Sequence, residues 1–167
     1  MDNLADVAKN TKLRKAALIK WISKFEEKFH LHFDGEFKIK SKKGVSRLQG
    51  TGGHNYLVVN KNIKIRKYLT EPIDDLPFDA LISVRYKNGQ WIDKVAKSSM
   101  FPENWDLIRV KEEIALVYDE MMKNRKKFHP KSKNRDYISL NSEKTFKIKI
   151  EFDEFSNFTN AYPWIKN

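Results

Sequence analysis

Between Thr11 and Phe29 the apolar residues Leu18, Trp21, Ile22, Phe25 and Phe29 recur at helical spacing with lysines between them, so one stripe of an amphipathic helix is predicted there. Thr11 is a fair N-cap for it, and Leu4, Val7 and Ala8 allow a short helix before it. The period changes after the turn signal Asp34-Gly35: Phe37 and Ile39 alternate with Lys38 and Lys40, as on a half-buried strand. The stretch SKKGVSRLQGTGG, with four glycines, reads as a loop. YLVVNKNIKIRKYL reads as one strand or two short ones, and EPIDDLPFD as a proline-punctuated connection. In ALISVRYKNGQWIDKVAK two alternating runs flank Asn88-Gly89, which predicts a hairpin with a type I′ turn.

A second helix is predicted after a cap at Asn104 or Asp106, with Leu107, Val110, Ile114, Val117 and Met121 as its buried stripe. HPKSKNRD then reads as a loop. In KTFKIKIEF, Phe146, Ile148, Ile150 and Phe152 fall on one side with lysines opposite, and FTNAYPWI supplies a last strand. The expected class is therefore α+β: N-terminal helices, then a twisted antiparallel sheet with a long helix packed on it.

Composition adds a constraint on partners. The chain of 167 residues holds 33 Lys and Arg against 22 Asp and Glu, a formal net charge of +11. With aromatics at 13% it is too apolar for a disordered basic tail, and its charge favours an anionic partner, nucleic acid first. There is no cysteine, which excludes disulfides, thiolate nucleophiles and cysteine-based metal sites. The four histidines, His30, His32, His54 and His129, are scattered without metal-ligand spacing, so no metal or other cofactor is expected. No apolar run reaches the length of a membrane span.

Three short stretches hold candidate chemistry. In GTGGHN, glycines that lack a Cβ leave room for a phosphodiester to approach, and His54 brings the side chain best suited to proton transfer near neutral pH. In KVAKSSMFPENW, Lys97 leads into Ser98 and Ser99, with Lys94 close behind. In FTNAYPWIKN, Tyr162 and Trp164 are aromatic. Each also has an ordinary structural reading: a strand-capping histidine, a solvated lysine, core aromatics.

In this order, and with a helix after the second, the stretches Gly52-Gly53-His54-Asn55, Ser98-Ser99-Met100-Phe101-Pro102-Glu103-Asn104-Trp105 and Asn160-Ala161-Tyr162-Pro163 resemble the bacterial EndoU ribonuclease toxins. That family sits in a wider group of compact microbial ribonucleases with barnase, colicin nucleases and RelE-like toxins. The resemblance covers residues 48–167, which leaves 1–47 as a helical extension. It implies metal-independent RNA cleavage, in which the ribose 2′-hydroxyl attacks the adjacent phosphate and leaves a 2′,3′-cyclic phosphate.

By the same resemblance His54 is the general base or acid, Lys97 neutralises phosphate charge, and Tyr162 positions the scissile nucleotide by stacking or hydrogen bonding. Ser98, Thr159 and Asn160 complete the expected catalytic group, while Gly53, Asn55, Lys94 and Trp164 are expected to bind substrate. Relatives often carry threonine before the Ala-Tyr pair, where this chain has Asn160. In a regular strand Thr159 and Asn160 face opposite ways, and Asn160 shares a face with Tyr162. No second histidine lies near His54 in sequence, so the partner in proton transfer stays open among His30, His32, His129, Lys97 and a hydroxyl, with Lys94 a substitute for Lys97.

The resemblance further implies an RNA substrate, tRNA first, and a cognate acidic immunity protein that covers the basic cleft. A monomer apart from that complex is expected, exported or delivered within a larger toxin and acting in the cytoplasm of the target cell. Two other readings remain at this point: a non-catalytic nucleic-acid-binding module, and a structural or protein-interaction domain.

Overall fold

The computed structural model describes residues 4–34, 36–42, 45–51, 63–85, 89–124, 135–152 and 158–165. Its elements run α1 (Leu4–Asp34), β1 (Glu36–Lys42), β2 (Val45–Thr51), β3 (Ile63–Tyr68), β4 (Phe78–Arg85), β5 (Trp91–Asp93), β6 (Ser98–Met100), α2 (Leu107–Lys123), β7 (Asp136–Leu140), β8 (Lys147–Phe152) and β9 (Phe158–Trp164). The class is α+β, with every described strand pair antiparallel. Instead of several N-terminal helices there is one, α1, which starts before the Thr11 cap: the Thr11 hydroxyl donates to the carbonyl of Val7 (2.8 Å), one turn earlier.

Where a single sheet is expected, the described residues form three, of two, four and three strands. The chain divides into two compact units, Phe29–Leu107 and Met1–Lys28 with Ile108–Asn167. In the first, β4 is the centre of the four-stranded sheet, paired with β3 along one edge and with both β5 and β6 along the other. Alternation sends Phe78, Ala80, Ile82 and Val84 of β4 into an apolar cluster with Ile63 and Met100. The strands flanking Asn88-Gly89 pair as the expected hairpin, β4 to β5, but Arg85 faces Trp91, a register one residue off that of a two-residue type I′ turn; Asn88 lies outside the described residues, and Gly89 holds φ at 84°, an angle glycine adopts without a steric penalty. Within the stretch 41–53 expected as a loop, Ser41 and Lys42 end β1 and Val45–Thr51 form β2, paired along its whole length with β1, while 43–44 and 52–53 lie outside the described residues.

The second unit joins part of α1 to α2 and to the sheet β7–β8–β9. Arg14 Nε reaches buried Glu112 (3.3 Å), Lys15 reaches its other oxygen (3.1 Å), and Trp21 packs edge-on against buried Tyr118 at 5.0 Å between ring centroids. Lys20 Nζ and Trp21 Nε1 both donate to Asp119 (3.0 and 2.9 Å). Burial alone raises the pKa of that carboxyl, but hydrogen bonds from Trp21, Lys123 and Lys20 outweigh it and leave it below the usual value. The predicted stripe of α2 holds: Val110, Ile114, Val117 and Met121 are buried and Leu107 half-buried.

Fully buried Glu113 of α2 is satisfied from the turn after β7. It accepts from the Ser142 backbone N–H (2.7 Å) and hydroxyl (2.5 Å) and pairs with Arg109 (3.0 Å), which also reaches Glu143 (3.0 Å). The Ser139 hydroxyl donates to Glu120, and Asn124 donates to the Tyr137 hydroxyl (3.4 Å). These bonds tie α2 to β7 and the β7–β8 turn. The expected alternation of β8 also stands, with Ile148, Ile150 and Phe152 buried. Among the described residues no helix is long and apolar enough to cross a membrane.

Candidate active site

The sequence-predicted site residues fall into three groups. Gly53, His54 and Asn55 lie outside the described residues. Lys94, Lys97 and Ser98 lie together in the first unit, and Thr159, Asn160, Tyr162 and Trp164 lie on β9 in the second.

The lysine group is built by the pairing of β4 with β6, which sets Asp79 opposite Ser99 and Ala80 opposite Ser98. Cross-strand partners share a face, so Ser98 sits on the apolar side and is fully buried, while Ser99 sits with Asp79 on the other. Lys97, whose side chain is 54% exposed, places Nζ 3.3 Å from Oδ2 of Asp79, itself 8% exposed. The Ser99 hydroxyl donates to the other carboxylate oxygen (3.3 Å). Asp79 is buried through its own strand's pairing: its N–H donates to Thr70 Oγ1 (2.8 Å) and its carbonyl accepts from the Leu69 N–H (2.8 Å).

Lys94 is held differently. Its N–H donates to the Ile82 carbonyl (3.0 Å), and its own carbonyl accepts from Arg66 Nη2 (3.2 Å). Arg66 is the extra residue of a bulge in β3, where Ile65 faces Ile82 but Lys67 faces Leu81. Lys94 Nζ donates to buried Ser98 Oγ (3.3 Å), and burial brings the pKa of this ammonium down to about 8. The two lysines are thus anchored on opposite faces of one strand pair, and they differ in burial.

On the second group, β9 pairs Asn160 with Glu151, Tyr162 with Lys149 and Trp164 with Lys147. These six side chains share one face of the sheet, opposite buried Ala161 and Pro163. The Lys149 ammonium stands 4.4 Å from the centroid of the Trp164 ring and 5.9 Å from that of Tyr162, and pairs with Asp136 (3.2 Å). Tyr162 donates its hydroxyl hydrogen to Glu151 Oε1 (2.8 Å). Burial, then the Glu151 hydrogen bond and charge, and then the Asp136 charge hold its ionisation above the usual phenol range. Tyr162 is accordingly a neutral ring.

Asn160 Oδ1 is buried and has no hydrogen-bond partner among the described residues. Such a group costs about 1–3 kcal/mol and marks a position where something other than stability is served. The register between β8 and β9 breaks here: Glu151 faces Asn160 while Phe152 faces Phe158, so Thr159 is the inserted residue of a bulge. The premise of a regular strand therefore fails at Thr159, which is exposed.

Asp79, Arg66, Lys149 and Glu151 were not among the sequence candidates. Asp79 had a readable signal, a lone carboxylate inside the apolar run PFDALISV, where an unpaired charge is costly. Lys149 and Glu151 read as the polar side of an alternating strand, and only cross-strand register sets them beside Tyr162.

Among the described residues no group of three or more His, Asp or Glu is placed to hold a metal ion. What the structure does present, in an α+β chain of strong positive charge, is a set of cations with graded burial and a pair of half-buried aromatics, features suited to phosphate and base. The family model for the bacterial EndoU nuclease matches residues 25–165, and the chain belongs to that family. It is an endoribonuclease. No curated protein and no solved structure matches the chain.

Proposed function

We propose that the chain cleaves RNA, tRNA in particular, without a metal: the 2′-hydroxyl attacks its own phosphate, leaving a 2′,3′-cyclic phosphate and a 5′-hydroxyl. The observation that carries this is the span of the family match, 25–165, which includes all three motif stretches from His54 to Trp164. His54 exchanges the proton of the 2′-hydroxyl or leaving oxygen, a role worth about 10²- to 10⁴-fold in rate. Lys97, with its exposed ammonium, meets charge growing on the non-bridging oxygens. Gly53 and Asn55 flank the histidine where the phosphate approaches.

Tyr162 positions the scissile nucleotide by stacking, since its hydroxyl hydrogen is engaged by Glu151. Asn160 turns its amide to the substrate, and its unpartnered oxygen suits an N–H or O–H of the nucleotide. Removal of the Tyr162 hydroxyl alone, Tyr162→Phe, is expected to leave kcat/KM within about threefold. Tyr162→Ala is expected to lower it by about 10-fold or more, the worth of one base–aromatic stack of about 1–3 kcal/mol. Cleavage kinetics on a short oligoribonucleotide check both, and equal losses in the two variants contradict a stacking role.

We propose a biological setting in keeping with that family. The chain is the toxic part of a larger protein delivered to competing bacteria, acting as a monomer in the target cytoplasm. An acidic immunity protein matches its net charge of +11 and protects the producer. Incubation of the purified chain with total RNA in excess EDTA, followed by end-group analysis, tests the chemistry. Fragments ending in 2′,3′-cyclic phosphate are expected. Fragments with 3′-hydroxyl ends, or activity lost to EDTA, contradict it.

A further inference from the structure

We propose that the open face of the β7–β8–β9 sheet is a platform for single-stranded RNA, on which Trp164 stacks the base next to the one that Tyr162 holds. This deepens the function proposed above and rests on Tyr162 positioning the scissile nucleotide.

Register defines the face. α2 is bonded to Tyr137 and Ser139 of β7, on the side where Ile148, Ile150 and Ala161 are buried. The alternate residues point away from that side. Ile138 lies opposite Lys149 and, across it, Tyr162; Leu140 lies opposite Lys147 and, across it, Trp164. Two parallel rows result, each an aliphatic side chain, a lysine and an aromatic ring. Ile138 is 39% exposed and Leu140 42%, Lys147 is exposed, and both rings are half-buried. An occupant of this face must combine flat apolar surface with negative charge. A single strand offers both, as bases and phosphates, whereas a duplex keeps its base faces inside.

A third row sets where the strand runs. Beyond Tyr162 lie Asp136, which pairs with Lys149 (3.2 Å), and Glu151, which accepts the Tyr162 hydroxyl hydrogen (2.8 Å). These carboxylates turn phosphate away from that end, and Lys147, beside Trp164, draws it to the other. Strand positions two apart are separated by about 6.5 Å, nearly twice the spacing of stacked bases, about 3.4 Å. Neighbouring bases are therefore unstacked from each other, and each lies on a ring of its own. The Lys149 ammonium, 4.4 Å from the indole centroid, holds one face of Trp164, and the base takes the other.

The test uses an oligodeoxynucleotide with a single ribonucleotide, which fixes the scissile position because cleavage needs a 2′-hydroxyl; its base is the one of the four cleaved fastest. Companion oligomers lack the base on one or the other side of it. For the wild type, loss of one flanking base is expected to lower kcat/KM by about 5- to 150-fold, the worth of one base–aromatic stack. Trp164→Ala is expected to show that loss on the intact oligomer and no further loss when the base is missing, while Trp164→Tyr stays within about threefold of wild type. With the all-deoxy oligomer, which cannot be cleaved, Lys147→Met is expected to flatten the slope of log affinity against log salt by about 0.7, one phosphate contact. Indifference of the wild type to both flanking bases overturns the proposal and leaves this face to a protein partner. A Trp164→Ala loss of equal size with and without the base overturns it too, because the ring then acts on the fold alone. An unchanged salt slope in Lys147→Met overturns the part given to that lysine. If the wild type cuts total RNA but no oligomer, folded RNA is what it reads and the platform falls alone. If it cuts neither, or if Tyr162→Ala cuts the intact oligomer at the wild-type rate, the function proposed above fails at that point and the platform with it.

Discussion

His54→Ala is expected to lower RNA cleavage by about 10²- to 10⁴-fold while RNA is still bound. The expectation follows from what the chain lacks as much as from the residues beside His54 in sequence. Without cysteine there is no thiolate, and His54 is the histidine that follows a glycine pair in the family-matched segment. Glycines precede it at 52 and 53, and residues without a Cβ suit the proposed close approach of a phosphodiester. The net charge of +11 belongs to other residues, and binding, which depends mainly on cations and counterion release, survives the substitution. Cleavage rates measured beside filter binding at one salt concentration separate the two effects. A variant that binds and cleaves like wild type removes His54 from the site, and one that loses both in parallel assigns it to binding.

Periodic elements were the legible part of this fold. The α2 stripe, the alternation of β8 and the hairpin strands flanking Asn88-Gly89 were all readable, because burial of one face imposes a repeat on the residues themselves. β2 was not, since VSRLQGT has no alternation of its own and becomes a strand by pairing with β1. Five-residue β7 was equally silent: DYISL gains its place from β8 and from hydrogen bonds of Ser139 and Tyr137 to α2. The division into three sheets was beyond reach for the same reason, as pairing is a property of distant segments.

The site divides along similar lines. Lys94, Lys97 and Ser98 were visible as neighbours in sequence, but their difference was not. Reading Lys94 as a substitute for Lys97 treats them as equivalent, whereas the β4–β6 register gives one a buried hydroxyl and the other a carboxylate 18 residues away in sequence. At Thr159 and Asn160 the alternation rule gave the right face for Asn160, and it lost its footing at Thr159 because a bulge lies there.

Trp105→Ala is expected to destabilise the fold by about 3–5 kcal/mol, the usual cost of truncating a buried tryptophan. The motif SSMFPENW that carries the family resemblance is largely a structural device from Phe101 onward. Phe101, Pro102 and Trp105 are buried, the two rings stack at 6.5 Å between centroids, and the Trp105 N–H closes a turn on the Pro102 carbonyl (3.0 Å). The indole Nε1 donates to Asp75 Oδ1 (2.9 Å), where Asn104 Nδ2 also donates (3.3 Å), and the Asp75 N–H returns a bond to Asn104 Oδ1 (2.9 Å). Asp75 holds φ at 63°, a left-handed angle that aspartate tolerates better than most residues, and the indole and amide lock it there. Trp105→Phe keeps a ring for Phe101 but loses the charge-assisted bond, so a smaller cost of about 1.5–3 kcal/mol is expected. Urea unfolding of the three proteins measures both. If Trp105→Ala shifts the free energy by less than about 1 kcal/mol, the clasp between the 69–77 segment and the start of α2 is not what orders this part of the chain, and selection on the motif must lie in contact with RNA instead.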